Sequence, residues 1–435
     1  MKTQKYIDIF ILIITIMIFI FFNKLYLIVP IILLTLFLRV VNIYKNKGGK
    51  LQLFFSIVVF ILMLLTLILN SYLFTIFTTM FTGIVFLILL IIDIRISKKK
   101  NHTKSQKLIR GIGLVGLTVL MLGYVSLSYN SLFPDSLTRS TQHIFPGKVV
   151  ANKSVEKNKD GSFYYKNLTY PSKYKNNKMD IYTSKNAKGT IFYVHGGGYA
   201  FDDKSEREEF LFRYVKAGYN VINVNYQLTP DIRYPETLEQ VNDALTFITE
   251  NAKDYNINLN KMVFSGDSAG GQLTGQLINI MNNKEYAEEV GVKPANSDIH
   301  FKPKGYIAMG ALTKPTHIAN TDFFLTDWLF DTLGRSYFNT TDVLHSNKAK
   351  QASVIDHVTK DFPSTFISDG NFGTFTKDSK EFEGRLDELN VPVESQFYSQ
   401  SEEKLFHVYE LDVNNKYAKK IYQEHVKFLD NLFEK

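Results

Sequence analysis

Hydrophobic and polar positions divide the chain into two unlike parts near residue 130. The first part contains five apolar runs separated by short polar segments, at residues 6–22, 25–41, 51–70, 73–94 and 108–127. A helix of about 20 apolar residues is long enough to cross the hydrocarbon layer of a membrane. The pattern therefore predicts an all-α transmembrane region of about five helices over residues 1–129, with the first two runs forming a tight hairpin.

Beyond this part, short apolar runs alternate with amphipathic stretches. The predicted strands are residues 162–169, 179–183, 190–194, 220–225, 261–264, 305–309, 365–368 and 393–397. The predicted helices are residues 205–217, 235–252, 272–281, 381–389 and 416–433. Strands that alternate with helices are typical of an α/β fold with a mostly parallel sheet covered on both faces. Residues 161–435 are therefore predicted to form an α/β domain, and the polar residues 130–160 a juxtamembrane linker or lid.

Charge follows the same division and predicts an orientation. Residues 1–129 carry 14 Lys and Arg side chains and two acidic ones, whereas residues 130–435 carry 36 basic and 40 acidic ones. In the five-span arrangement, 13 basic residues fall on one side of the membrane and Lys24 falls on the other. Since basic loops stay in the cytoplasm, we expect a multi-pass cell-membrane protein whose α/β domain is extracellular. The acidic balance of that domain argues against nucleic acid as a partner.

The sequence VFSGDSAGGQL at 263–273 contains the pattern G-x-S-x-G between a predicted strand and a predicted helix. Glycines flanking the serine remove side chains that would collide in a tight strand-to-helix turn, and they leave the hydroxyl group at the top of the sheet. Ser268 is therefore the predicted nucleophile. The alternative is that these small residues only let the helix pack closely on the strand.

A second glycine-rich stretch, HGGGY at 195–199, follows another apolar strand. Acyl transfer creates an oxyanion that needs donors already aimed at it. We predict that the amides of Gly197, Gly198 and Ala269 form this oxyanion hole and that His195 is a structural residue. A phosphate-binding loop or a plain turn is the alternative, although no lysine follows at the spacing of a P-loop.

Together, these motifs resemble the hormone-sensitive-lipase-like branch of the α/β-hydrolases over roughly residues 160–430. The resemblance rests on HGGGY, on NYQLTPDIRYP at 225–235, on GDSAGG at 266–271 and on a late histidine. It implies an α/β-hydrolase fold and a carboxylesterase or lipase-like activity through an acyl-enzyme on Ser268, without metal or cofactor. It also implies His407 as the base, because His407 lies between the last predicted strand and the closing helix.

The acid of the triad is less well defined. The family's acid position corresponds to Gly373, which has no side chain to act. Asp369 at the end of a predicted strand is the nearest carboxylate and our predicted acid, and Asp378 is the alternative. Asp369 could instead be a turn residue that bonds the backbone before Gly370. A triad acid would fix the tautomer of His407 and stabilise its imidazolium form.

The resemblance also implies a small cap over the site, here an insert at 312–351. Its aromatic residues are predicted to form the cap's own core, with one or two lining an acyl pocket; they are Phe323, Phe324, Trp328, Phe330 and Tyr337. The expected partners are membrane lipids and a small-molecule, lipid or glycan ester substrate.

Two other functions remain open from the sequence. One is an acyltransferase or deacetylase that acts on cell-envelope sugar or lipid esters. The other is a non-catalytic binder on a hydrolase scaffold. The chain has no cysteine, so a cysteine nucleophile, a disulfide and a thiolate metal site are excluded.

Overall fold

A computed structural model describes a few scattered residues between 11 and 44, and then residues 50–69, 72–96, 104–145, 153–158, 161–297 and 301–434. The chain divides into two compact units, Met1–Phe133 and Pro134–Lys435. In the first unit, three long helices are described: α1 (Lys50–Leu69), α2 (Tyr72–Ile96) and α3 (Lys104–Leu132). Helix α2 packs against both of the others. The hydroxyl groups of Thr66 and Thr78 lie 3.0 Å apart and join α1 to α2.

The prediction of a transmembrane region is not supported. Within the described part of the chain, no helix combines the length and the apolarity that crossing a membrane requires. The predicted spans at 51–70, 73–94 and 108–127 fall on α1, α2 and α3, which are therefore helices but do not qualify as spans. The predicted spans at 6–22 and 25–41 lie almost entirely outside the described residues.

The second unit is built around a nine-stranded sheet. Its strands are β1 (Ser154–Lys157), β2 (Phe163–Thr169), β3 (Lys178–Tyr182), β4 (Thr190–Val194), β5 (Asn220–Val224), β6 (Met262–Asp267), β7 (Gly305–Met309), β8 (Ser364–Ser368) and β9 (Val393–Gln396). The order is β1-β2-β3-β5-β4-β6-β7-β8-β9. Strands β4 to β9 pair in parallel, and β1 to β3 add an antiparallel edge. The predicted mostly parallel sheet is confirmed.

The central strands are apolar because both faces of the sheet are covered. Every residue of β4, β5, β6 and β7 is buried, as expected for parallel strands between two helical layers. Alternate side chains enter two separate cores: Phe192 and Phe264 point into one, and Tyr193 and Val263 into the other.

The described residues of this unit also form nine helices. They are α4 (Pro134–Ile144), α5 (Glu208–Lys216), α6 (Glu236–Glu250), α7 (Ala269–Asn282), α8 (Lys284–Val290), α9 (Phe324–Phe338), α10 (Asn347–Gln351), α11 (Thr376–Glu388) and α12 (Lys416–Glu434). Helices α5 and α12 supply apolar residues to one core, and α6, α7 and α11 supply the other. This layered arrangement places the ends of β4, β6 and β8 at one edge, where the predicted site residues follow.

Helix α4 lies within the segment predicted as a linker or lid, and it packs on α9. The carboxylate of Asp135 accepts hydrogen bonds from Arg233 at 2.7 Å and from the Ser336 hydroxyl at 2.6 Å. The Gln142 side chain donates to the carbonyl of Thr229 at 2.6 Å. These bonds fix α4 to the cap helix α9 and to the loop that precedes α6.

Candidate active site

Ser268 occupies the turn between β6 and α7 in an unusual backbone conformation, with φ 51° and ψ −119°. Such a conformation is strained for a residue with a side chain, and strain of this kind is common at functional sites. The turn is also very tight. A Cβ atom on Gly270 would lie 2.0 Å from the carbonyl oxygen of Val194, and one on Gly266 would lie 2.5 Å from the Gly270 backbone. Both glycines are therefore required for the serine to stand at this position.

His407 is the hydrogen-bonding partner of Ser268. Its Nε2 atom lies 2.8 Å from Ser268 Oγ, and the rings of Phe330 and Phe375 meet the imidazole at 5.2 Å between centroids. Burial lowers the pKa of His407 to about 4, against the opposing effect of the Asp267 charge. The imidazole is therefore neutral near pH 7 and can accept a proton.

The Nδ1 atom of His407 contacts a hydroxyl group and not a carboxylate. Thr374 Oγ1 lies 2.8 Å from Nδ1, and the same hydroxyl donates to Asp369. Asp369 is fully buried and also accepts from the Gly370 amide at 2.7 Å and from the Ser379 hydroxyl at 3.0 Å. Burial raises the pKa of Asp369 to about 7, although these three donors oppose the increase.

The alternative acid, Asp378, has a different histidine, His317, as its partner. Its carboxylate lies 2.8 Å from Nδ1 of His317. Together with Glu381, these two residues form the one group of three candidate metal ligands among the described residues, with atoms within 4.8 Å of one another. Lys314 lies 2.6 Å from Glu381 and already compensates part of the negative charge. The group is therefore an ion-pair cluster beside the loop that carries Asp369.

Of the predicted oxyanion donors, Gly198 and Ala269 line one small cavity together with Ser268. Gly197 and Gly198 have φ values of 99° and 55°, and a Cβ on Gly197 would come within 2.1 Å of the Phe201 carbonyl. Only glycine fits this turn. No hydrogen bond within the described ranges uses the amides of Gly197, Gly198 or Ala269, so all three remain able to donate to a ligand.

Two charged residues that sequence reasoning missed, Arg207 and Asp267, hold the glycine loop after β4 to the end of β6. Arg207 donates to both carboxylate oxygens of Asp267, at 3.0 and 2.9 Å. Asp267 also accepts from the Gly196 amide at 3.0 Å and from the Tyr193 hydroxyl at 2.6 Å. Burial alone would raise the pKa of Asp267, but the Arg207 guanidinium lowers it below its ordinary value. The only sign of this ion pair in the sequence was Asp267 itself, an acidic residue at the end of a mostly apolar strand.

A small apolar cavity lies beside Ser268 under the cap. It is lined by Gly198, Tyr199, Ser268, Ala269, Leu312, Ile318, Phe330, Leu333 and Phe375. Its volume is about 10 Å³, close to the least that one water molecule needs. Of the predicted cap aromatics, Phe330 lines this cavity, whereas Tyr337 is fully buried and stacks on Tyr199 with ring centroids 3.6 Å apart.

A comparison with protein families gives one match, the BD-FAE family, over residues 179–383. Among curated proteins, the acetyl esterase of Salmonella paratyphi B is 33% identical over 90 residues, and that of Salmonella paratyphi A matches equally. This alignment covers 20% of the chain and 27% of the Salmonella paratyphi B protein. The chain thus spans about a quarter of the length of the curated relatives it matches.

Solved structures show the same fold. Esterase B from Lactobacillus rhamnosis is 16% identical, with a TM-score of 0.57 over 71% of this chain and 96% of that one. Carboxyl esterase 2 from Tuber melanosporum is 17% identical, with a TM-score of 0.50 over 66% of this chain and 90% of that one. The second unit therefore has an α/β-hydrolase fold, as predicted.

Proposed function

We propose that this protein hydrolyses carboxylic esters through an acyl-enzyme on Ser268. The observation that carries the proposal is the 2.8 Å contact between Ser268 Oγ and His407 Nε2 at a strained turn between strand and helix. A serine hydroxyl is a weak nucleophile until a base takes its proton. A non-catalytic binder would have no need of this pairing, so the contact favours an enzyme.

The proposed acylation step uses the groups around Ser268. Ser268 Oγ bonds to the ester carbonyl carbon, its proton moves to His407 Nε2, and the carbonyl electron pair moves to oxygen. The amides of Gly197, Gly198 and Ala269 stabilise that oxyanion. Collapse of the intermediate expels the alcohol, which takes the proton from His407. In the second half of the reaction, His407 takes a proton from water, the water oxygen bonds to the acyl carbon, and the acid leaves as Ser268 regains its proton.

We propose a short acyl group as the acid part of the substrate. The cavity of about 10 Å³ beside Ser268 has room for about one water-sized group, and mostly apolar side chains line it, so a small acyl group is favoured over a long one. The name of the Salmonella relatives, acetyl esterase, agrees with this size. The alcohol part of the substrate, whether a small molecule, a lipid or a glycan, is not constrained by the cavity.

The location of the enzyme is a separate proposal that rests on the sequence alone. We propose that the protein is anchored in the cell membrane with its hydrolase unit outside. The apolar runs and the biased distribution of basic residues in 1–129 support it. The described helices give it no support.

The catalytic proposal is tested with a fluorescent alkylphosphonate probe and with p-nitrophenyl acetate. The probe should label the protein at Ser268. The variant Ser268→Ala should lose labelling, and its kcat should fall by about 10⁴-fold or more because the nucleophile is gone. The exposed Ser401→Ala is the matched control and should behave like the unchanged protein. Substantial hydrolysis by a folded Ser268→Ala protein would overturn the mechanism.

A further inference from the structure

The loop after β8 gives His407 an unusual partner. In this loop, Asp369 begins the turn and Thr374 ends it just before α11. The Thr374 hydroxyl sits between the two groups, 2.8 Å from His407 Nδ1 on one side and bonded to Asp369 on the other. Asp369 thus reaches the histidine through one intervening hydroxyl group.

The number of protons on these groups fixes the direction of each hydrogen bond. A hydroxyl has one proton and two lone pairs. At pH 8, above the pKa of about 7 of Asp369, this group is a carboxylate and accepts the Thr374 proton, so the Thr374 oxygen accepts a proton from His407 Nδ1. An imidazole protonated at Nδ1 leaves Nε2 with a free lone pair, and Nε2 is the atom that faces Ser268.

We propose that Thr374 is a positioning residue that transmits the orienting effect of Asp369 to His407. The inference rests on the proposed serine hydrolase mechanism and extends it from three residues to four. When His407 takes the serine proton, its Nδ1–H continues to donate to Thr374, and Thr374 continues to donate to Asp369. No proton leaves Thr374, and at pH 8 Asp369 stays a carboxylate throughout the cycle.

Among the described residues, the Thr374 hydroxyl is the one hydrogen-bonded connection between His407 and a carboxylate. Asp378 bonds to His317, and the buried Glu410 accepts from the Ser368 hydroxyl at 2.8 Å. Neither contacts His407. Thr374 is itself only 4% exposed, so water does not compete for its hydroxyl.

The loop backbone holds the threonine in place. Gly373 adopts φ +62°, which turns the chain so that residue 374 faces the histidine. The Thr376 hydroxyl donates to the Gly370 carbonyl at 2.8 Å and closes the loop. The β-branched side chain of threonine has few rotamers, so its hydroxyl is already oriented toward both partners.

The test compares Thr374→Val with Thr374→Ser. Valine keeps the shape but removes the hydroxyl, so kcat for p-nitrophenyl acetate at pH 8 should fall by about 100-fold or more, with KM changed much less. Serine restores the hydroxyl and should recover most of kcat. The matched control is Thr365→Val, which removes a buried hydroxyl of β8 that donates to the Pro363 carbonyl and does not contact His407; its kcat should stay within a few-fold of that of the unchanged protein.

A double variant shows whether Thr374 transmits the effect of Asp369 to His407 or only packs against the histidine. If Asp369 acts through Thr374, then Asp369→Asn should lower kcat strongly alone but add little on the Thr374→Val background. Additive losses, or a fully active Thr374→Val enzyme, would overturn the proposal.

A spectroscopic measurement keeps the inference separate from the proposed activity. In protein with ¹⁵N-labelled histidine, the His407 resonances, assigned by their loss in His407→Gln, should show the proton on Nδ1. Thr374→Val should shift the population toward the Nε2 tautomer, whereas Thr374→Ser should not. This result is expected even if no ester is hydrolysed, and an unchanged tautomer in Thr374→Val would refute the role of the hydroxyl.

Discussion

Glu410 is a buried carboxyl group three residues after His407. It is 1% exposed, and within the described residues only one of its two oxygens is bonded, to Ser368. Burial, followed by the nearby charge of Asp369, raises the pKa of Glu410 to about 8 from an ordinary value of 4.5. The folded protein therefore retains this proton over a range of pH in which the unfolded chain has lost it.

This difference predicts how stability depends on pH. Between about pH 4.5 and 8, the folded state binds more protons at Glu410 than the unfolded state does, so the free energy of unfolding falls as pH rises. Glu410→Gln stays neutral in both states. The variant should therefore gain stability relative to the unchanged protein between pH 4.5 and 8, on the order of 1–3 kcal/mol.

Urea unfolding at several pH values measures this gain. The exposed Glu394→Gln is the control, and its stability should differ from that of the unchanged protein by the same amount at every pH. If the free energy of unfolding of Glu410→Gln differed from that of the unchanged protein by the same amount at every pH, the Glu410 carboxyl group would not be the cause of the pH dependence.

At this scale, motifs in the sequence indicated where Ser268 and its glycines lie, but they gave no indication of the contacts that Thr374 makes. Ser268 was predictable because its glycines have a steric meaning that can be read in the chain. Asp369 was chosen by its position at a strand end, but its link to His407 depends on Thr374, and a threonine in a loop carries no motif. Thr374 is next to Gly373, where the family's acid was expected, and this position was the one signal in the sequence that could have identified Thr374.

Among the elements, helix α9 sets the size of the space beside the nucleophile. It carries Phe330 and Leu333, both of which line the cavity. Leu333 is 1% exposed, and a Cβ on Gly198 would lie 2.6 Å from its Cδ1 atom. Helix α9 therefore packs directly against the glycine loop after β4 and limits the space beside Ser268.

Shortening Leu333 should change the preferred acyl chain. We expect Leu333→Ala to raise kcat/KM for p-nitrophenyl butyrate relative to acetate by about 10-fold or more, since one or two methylene groups in an apolar pocket are worth that much. The ratio of the two esters cancels any general loss of activity from the altered cap. Leu325→Ala, an exposed position on the same helix, should leave the ratio unchanged. An unchanged ratio in a folded Leu333→Ala protein would show that another element limits the chain length.

The strands were the most predictable elements. β4 and β7 have the predicted bounds, because a short apolar run with both faces buried is distinct in sequence. Strand β1 was missed, since it is a four-residue edge strand with three exposed positions. Helix α11 begins at Thr376 and not at residue 381, because its first turns are largely polar and show no apolar stripe. Helix α9 was not predicted, because its mixed aromatic and polar residues depend on packing against α4 and the site.

For the molecule as a whole, the uneven distribution of charge along the chain supports the proposal that the second unit lies outside the cell membrane. The basic excess lies in residues 1–129 and the slight acidic excess in residues 130–435, and along the chain the first structural unit ends at Phe133. If the five apolar runs crossed a membrane, the basic segments would stay inside and the hydrolase unit would lie outside. The described helices do not meet the requirements for such spans, so cell fractionation is the first measurement, and the protein should sediment with membranes.

Single cysteines then report the side on which each part lies. The chain has no cysteine, so Lys100→Cys and Lys153→Cys each introduce the only thiol. In intact cells, a membrane-impermeant maleimide should modify Lys153→Cys, next to the hydrolase sheet, and spare Lys100→Cys until the cells are lysed. The reverse pattern would place the hydrolase unit inside the cell. A protein recovered in the soluble fraction would refute the anchor itself, and in that case the apolar helices of the first unit must bury their side chains against protein.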